Sequence, residues 1–199
     1  IFQDLESFEL QSLTSSTDTD VIFSYDADWG NEASWSPFIY DYFSETLRDR
    51  KTFGQEFRLV SSEAGLNRNK EIEWIFGVSY LEIKESNLKR DDGNYGDPSD
   101  PYGPYASSSS SSSKYESENF SLFGNIDYLL SETVKLSLGM RWEDWESKYS
   151  DTLGDDFNPS NNMSGGKISL IKKIESDTNI FVSIAKGYKR ARKNNGRGR

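Results

Sequence analysis

The sequence predicts an all-β fold, an antiparallel up-and-down portion of a transmembrane β-barrel with about seven long strands. Three observations support this. Apolar and polar residues alternate with a period of two in several segments. Long and short connections between these segments alternate along the chain. Only 34% of the 199 residues are hydrophobic, whereas 14% are aromatic, a composition that suits strands with one apolar and one polar face.

The clearest alternation lies in the central hairpin, residues 119–143. The apolar residues that share one face are Phe120, Leu122, Ile126 and Tyr128 on the first strand, and Leu136, Leu138, Met140 and Trp142 on the second. The other face carries Asp127, Lys135, Arg141 and Glu143. A charge that faces the middle of a bilayer costs about 2–4 kcal/mol, so the uncharged face is predicted to contact lipid. Similar alternation occurs at 21–28, 71–80 and 180–185, and more weakly at 55–62 and 166–174.

The connections alternate in length. The long ones are 29–52, 86–115 and 150–162, and the short ones are 63–69, 130–133 and 175–179. This is typical of barrels with short periplasmic turns and long extracellular loops, whereas a soluble sandwich has no reason to alternate strictly. The segment 91–113 is low in complexity and ends in seven consecutive serines, so we expect a mobile loop there.

Composition also limits function. A net charge of −10 argues against nucleic acid as a partner. The absence of Cys and His excludes disulfides and any Cys- or His-based metal site or catalysis. Glu143, Asp144 and Glu146 cluster like the acids of a glycosidase, but the polar rim of a barrel strand explains them better. We therefore predict no enzymatic activity, no cofactor and no metal site.

No segment approaches the 18 to 20 apolar residues that are roughly the length of a membrane helix, but a barrel strand crosses with only about 9–11 residues. The chain begins without the charged and apolar regions of a signal peptide. We therefore expect a fragment of a longer protein, with residues 1–189 as a partial barrel domain and 190–199 as a disordered basic tail.

Five segments, in chain order, resemble strand motifs of TonB-dependent outer-membrane receptors. They are TFGQEFRL at 52–59, WIFGVSY at 74–80, FSLFGNIDY at 120–128, LSLGMRW at 136–142 and IAKGYK at 184–189. The resemblance implies active import of a scarce solute, such as a ferric siderophore, across the outer membrane of a Gram-negative bacterium. The implied partners are outer-membrane lipid, the plug domain of the same parent protein and, through that parent only, TonB.

Candidate site residues follow from face and position. Aromatic side chains in the long loops give rigid contact area for a ligand, and we expect ligand contacts at Trp29, Trp35, Tyr40, Tyr95, Tyr102 and Tyr105. A self-packed loop is the competing explanation. Charged residues on the inner face are expected to contact the plug, namely Arg141, Lys135 and Asp127.

Two other functions remain open from the residues alone. One is a soluble β-rich domain that binds or hydrolyses glycans, in which Leu136, Leu138 and Met140 would form a dry core. The other is a small self-contained outer-membrane barrel with a structural or adhesive role.

Overall fold

The computed structural model of the chain describes residues 2–5, 8–62, 71–175 and 177–188. The strands in them are β1 (Phe2–Leu5), β2 (Phe8–Asp26), β3 (Ile39–Ser61), β4 (Ile72–Gly96), β5 (Tyr105–Ser131), β6 (Val134–Asp151), β7 (Asp156–Phe157), β8 (Ser160–Glu175) and β9 (Thr178–Lys186). One short helix, α1 (Glu32–Trp35), follows Asn31, whose side chain accepts a hydrogen bond from the Ser34 amide. Within the described residues, no helix has the length and apolar character needed to cross a membrane.

All strand pairs are antiparallel, and the sheet order is β1-β2-β3-β4-β5-β6-β8-β9, with β7 attached to β6. Seven strands have nine or more residues, which confirms the predicted number of long strands. The sheet does not close on itself within the described residues.

Register gathers the apolar residues of successive strands into rows. One row is Trp74, Ile126, Leu138, Ile168 and Ile184, and the next is Ile72, Tyr128, Leu136, Leu170 and Val182. Because side chains alternate along a strand, all of these lie on one face. We call this continuous surface the apolar band, the face that carries it the outer face, and the opposite face the lumen face.

The burial of the two faces is the reverse of that in a soluble protein, because the apolar face is exposed and the buried residues are mostly polar. Most large apolar side chains of the band are solvent-exposed, and Met140 is 71% exposed. The buried strand residues all have lumen-face positions, and most are polar: Ser44, Ser117, Ser121, Glu143, Trp145, Ser147, Met163 and Ser169. An exposed apolar face of this extent marks a contact surface rather than a soluble core, and lipid is the contact that a barrel offers.

The apolar band crosses the register diagonally. On β3 its upper edge is Phe53, which pairs with Glu82 of β4. On β9 the edge is Ile184, whose row crosses β4 at Trp74. The edge therefore falls by eight positions of β4, from 82 to 74, over five strand-to-strand steps. At about 3.3 Å per residue and 4.8 Å between strands, the tilt is roughly 45–50°, at or slightly above the upper end of the range of about 35–45° found in outer-membrane barrels.

The expected long loops are mostly strand, so that prediction is wrong in its extent. The connections between the long strands shrink to 27–38, which contains α1, 97–104, and 152–159, which contains β7. The strands that they join reach far beyond the band. The serine run at 107–113 lies inside β5 and pairs with Asn87–Gly93 of β4. Pairing with β4 provides the backbone partners that a low-complexity segment lacks on its own.

The short turns are as predicted where the structure describes them. The β5–β6 turn comprises residues 132–133, and β8 and β9 are separated by residues 176–177. The predicted turn at 63–69 and the basic tail at 190–199 lie outside the described residues.

We predict that a nitroxide at Leu138 contacts lipid. The chain contains no cysteine, so Leu138→Cys gives a single labelling site in it. In the reconstituted full-length protein, the label should collide with oxygen and be shielded from a water-soluble nickel chelate. The matched label at Ser110, on the same face above the band, should show the reverse. Shielding of position 138 from both reagents would instead indicate a dry core.

Candidate ligand-binding tip and lumen wall

Three of the six predicted ligand residues form one row at the far end of the sheet. Tyr40 pairs with Tyr95, and Tyr95 pairs with Tyr105. All three have lumen-face positions. They begin or end strands rather than lying in loops, which corrects their predicted setting: Tyr40 lies at the start of β3, Tyr95 near the end of β4, and Tyr105 opens β5. We call this row the tyrosine ladder.

Trp35 and Tyr42 extend the ladder. The Trp35 ring meets the Tyr40 ring edge-on at 4.9 Å between centroids, and Tyr40 lies 4.9 Å from Tyr42. A Cβ at Gly93 would lie 2.5 Å from Tyr42 Cδ1, so the missing side chain there allows the Tyr42 ring to lie on the sheet. Tyr95 and Tyr105 form a separate ring pair with 5.6 Å between centroids. The result is a partly exposed aromatic surface made of two neighbouring ring clusters.

Asp100 connects the 97–104 loop to this surface. Its Oδ2 accepts a hydrogen bond of 2.7 Å from the Tyr105 hydroxyl, and its Oδ1 accepts one of 2.9 Å from the Tyr102 amide. These bonds favour the carboxylate. The Tyr102 amide and the Tyr105 hydroxyl lower the pKa of Asp100, and the bond to Asp100 raises the pKa of Tyr105.

Trp29 and Tyr102 do not join the aromatic surface. Trp29 is 89% exposed and Tyr102 85% exposed, and neither ring contacts another aromatic ring among the described residues. Trp29 adopts a φ of +60°, a conformation that is uncommon for residues other than glycine. Of the predicted ligand residues, the structure therefore brings together Trp35, Tyr40, Tyr95 and Tyr105.

An arginine pair lower on the lumen face was not among the predicted site residues. Arg50 Nε donates to Glu85 Oε2 at 2.6 Å, and Arg48 Nε lies 3.6 Å from Glu85 Oε1. Burial of Glu85 opposes its ionisation, but hydrogen bonds from Asn87 and Arg50 and both guanidinium charges outweigh burial and lower the pKa of Glu85. Two half-exposed cations share one carboxylate, so the cluster leaves positive charge facing the lumen.

The three predicted plug-contacting residues lie on the lumen face at the height of the band. Lys135 Nζ lies 3.0 Å from Asp127 Oδ2, and Asn125 donates to the same carboxylate at 3.0 Å. Arg141 Nε donates to Glu143 at 2.6 Å, and its guanidinium lies 5.5 Å from the centre of the Phe123 ring. The wall charges are therefore already paired with each other.

One trio of carboxylates is close enough to surround an ion. Asp18, Asp20 and Asp49 approach within 4.8 Å of one another on the outer face, above the band. Loss of solvation and a hydrogen bond with Asp20 raise the pKa of Asp49. The absence of a metal site stays a prediction.

Comparison with known proteins supplies a family for this geometry. The sequence profile described as "TonB dependent receptor-like, beta-barrel" matches residues 3–198. No curated protein sequence matches the chain.

Two solved structures resemble the fold. The ferric yersiniabactin uptake receptor FyuA from Yersinia pestis aligns with a TM-score of 0.58 and 13% identity, over 92% of this chain and 26% of that protein. The ferric citrate transporter FecA aligns with a TM-score of 0.55 and 17% identity, over 91% of this chain and 25% of that protein. The chain thus spans about a quarter of each. With a family profile that covers nearly its whole length, the chain belongs to the TonB-dependent receptor family and forms part of its β-barrel.

Proposed function

We propose that this chain supplies lumen wall and extracellular surface to a receptor that imports a scarce solute, such as a ferric siderophore, across the outer membrane of a Gram-negative bacterium. The observation that carries the proposal is the inward-facing aromatic surface beyond the apolar band. In this proposal, outer-membrane lipid surrounds the band, the plug domain of the parent protein fills the lumen, and TonB acts through the parent only. The predicted division into a barrel portion, residues 1–189, and a tail, residues 190–199, is kept as part of this proposal.

The family and its relatives support this function. Receptors of this family are transporters, which agrees with the prediction that the chain is not an enzyme. The two structural relatives are a ferric yersiniabactin uptake receptor and a ferric citrate transporter. The diagonal band argues against a soluble glycan-binding or hydrolytic domain. A self-contained barrel fits poorly with relatives about four times as long.

The ligand contacts divide into an aromatic tip and a charged wall. Trp35 packs on Tyr40, and Tyr95 packs on Tyr105. These rings are therefore preorganised and lose little side-chain freedom when they bind. Trp29 and Tyr102 are proposed to close over the ligand from the loops. Farther down the same face, Arg48 and Arg50 suit an anionic solute, since guanidinium groups match carboxylates geometrically.

The plug contacts are proposed to engage the paired charges Arg141, Lys135 and Asp127. Because each has a partner in the wall, the plug would meet hydrogen-bonding groups and not bare charges. Leaving a charge buried without its partner is costly. A wall that is neutral by itself therefore tolerates both the docked and the displaced plug.

We predict that Trp35→Ala or Tyr40→Ala weakens ligand binding to whole cells by about tenfold, which equals about 1.4 kcal/mol. Each change removes a ring from the packed aromatic surface. Phe43→Ala is the matched control, because Phe43 lies in the same strand on the outer face and should not contact ligand. Unchanged affinity in both variants, at normal surface expression, would remove the tip from the proposal.

We predict that Asp100→Asn lowers the pH at which Tyr105 ionises, because the ionised carboxylate no longer stabilises the protonated phenol. Ultraviolet titration against a Tyr105→Phe background measures the shift, and Asp97→Asn serves as a control. The same hydrogen bond shifts the pKa of Asp100 in the opposite direction, downward. Its depressed pKa contributes loop stability at pH values above its ordinary value of 3.8, and that contribution is lost as the pH falls through the lowered pKa. A Tyr105 titration that Asp100→Asn leaves unmoved would contradict the hydrogen bond.

We predict that Arg141→Ala leaves ligand binding intact and slows uptake, since Arg141 lies far below the tip and faces the space assigned to the plug. Radiolabelled ligand measures both steps on the same cells. Arg141→Lys keeps the charge but loses the planar guanidinium. Its uptake rate should lie between those of the wild type and Arg141→Ala. Impaired binding with normal uptake would reverse the proposed roles of tip and wall.

A further inference from the structure

Two aromatic rings on the lumen face lie over glycines and enclose one of the predicted plug contacts. One register row of that face runs through Gly77, Phe123, Arg141 and Gly165, on β4, β5, β6 and β8. A Cβ at Gly77 would overlap the Phe123 ring, so the ring can lie on β4 only because that position has no side chain. The Arg141 guanidinium carbon lies over the same ring, 5.5 Å from its centre.

Tyr188 encloses Arg141 from the other side of the row. A Cβ at Gly165 would lie 2.8 Å from Tyr188 Cδ1, so this ring also occupies the place of a missing side chain. The Tyr188 hydroxyl forms hydrogen bonds with Glu143 and with Arg141, and Arg141 Nε donates to Glu143 at 2.6 Å. The guanidinium is therefore held by a ring face on one side and by a phenol and a carboxylate on the other.

The other cations on this part of the lumen wall are held by fewer groups. Among the described residues, Lys135 and Arg58 each pair with one carboxylate, Lys167 forms no ion pair, and only Arg141 lies over a ring. An arginine side chain has many rotatable bonds, and fixing them when it binds is costly. The contacts that fix Arg141 in advance remove that cost from a later contact.

A ring that covers a glycine can also be purely structural. Such packing across neighbouring strands stabilises a sheet by itself. Phe76 covers Gly124 in this way on the outer face, and no cation of the described residues lies over that ring. The two lumen rings differ because both also contact Arg141.

We propose that Phe123 and Tyr188 are positioning residues, which hold Arg141 in the orientation that donates to an acceptor oxygen of the plug domain. The inference rests on the proposed function, in which Arg141 contacts the plug. It adds that this contact depends on two rings that act through Arg141, and on the glycines beneath them.

The test is hydrogen–deuterium exchange of the plug domain in purified full-length receptor, without added solute. Exchange of plug amides reports how often the plug opens or leaves the wall. Arg141→Ala should raise plug exchange, and Phe123→Leu, which keeps an apolar side chain but removes the ring face, should raise it about threefold. Gly77→Ala should act like Phe123→Leu, because the added methyl group displaces the ring. Phe123→Tyr keeps the ring and should match the wild type.

Two further variants test the hydroxyl and the specificity of the effect. Tyr188→Phe removes only the hydroxyl and should also raise plug exchange. Gly54→Ala is the matched control, because Gly54 lies on the lumen face of β3 and its added methyl group would meet the Ser15 hydroxyl and no ring. Its plug exchange should stay at the wild-type level.

A double-mutant cycle separates positioning from sheet stability. If the rings act through Arg141, adding Phe123→Leu to Arg141→Ala causes no further rise in plug exchange. A further rise in that background, or wild-type exchange in both Phe123→Leu and Gly77→Ala, would overturn the inference while leaving the plug contact of Arg141 in place. Wild-type plug exchange in Arg141→Ala itself would instead contradict that plug contact, and the positioning role with it.

Discussion

The structure depends on the requirement that each backbone group in a membrane finds a partner on a neighbouring strand. From β2 to β9 each strand pairs with the next in the sheet. In the part of the chain that the structure describes, register shifts occur only at Leu129/Ser131 and Lys173/Glu175, beside the short turns. A register slip of one residue moves every side chain beyond it to the opposite face of the sheet. Because the register is unbroken, the face of a residue in the band also fixes the face of residues far above it on the same strand. The parity that turns Phe57 and Leu59 toward lipid also turns Tyr40 toward the lumen, on the same strand.

The sequence alone predicts the strands and faces of the part of the fold that contacts lipid. The hairpin at 119–143 alternates cleanly because each of its outer positions must be apolar, and that regularity predicts both strand and face. Above the band the requirement ends. Ser107–Ser113 and Lys89–Gly93 favour loops by composition, yet they are paired strands. The serines pair with β4 residues that lie 14 to 26 residues away in the sequence, and a propensity argument that considers each segment alone misses such pairing.

The candidate site shows the same limit. Residue type identified Trp35, Tyr40, Tyr95 and Tyr105 as candidates, but only register shows that three of them form one row. Arg48 and Arg50 were missed because they alternate with Leu47 and Asp49, so neither face looks functional in isolation. The available signal was parity, because Arg48 and Arg50 have the same even parity along β3 as Tyr40. Their partner Glu85 is 35 residues from Arg50, a separation that no local pattern predicts.

The length of the strands explains the unusual composition. On β4 the band ends at Tyr80, and the strand continues for sixteen positions to Gly96, or about 50 Å at 3.3 Å per residue. That extension is in contact with water on its outer face and with the entrance to the lumen on its inner face, so neither side can be a continuous apolar surface.

Within the described residues, β5 has β4 as its only strand partner from Tyr105 to Ser112. An exposed edge of this kind invites pairing with other chains, and a run of serines presents no apolar surface to stabilise such a contact. Low hydrophobicity in this region is therefore compatible with strand structure, because the underlying barrel wall sets the register and the serines keep the exposed edge soluble.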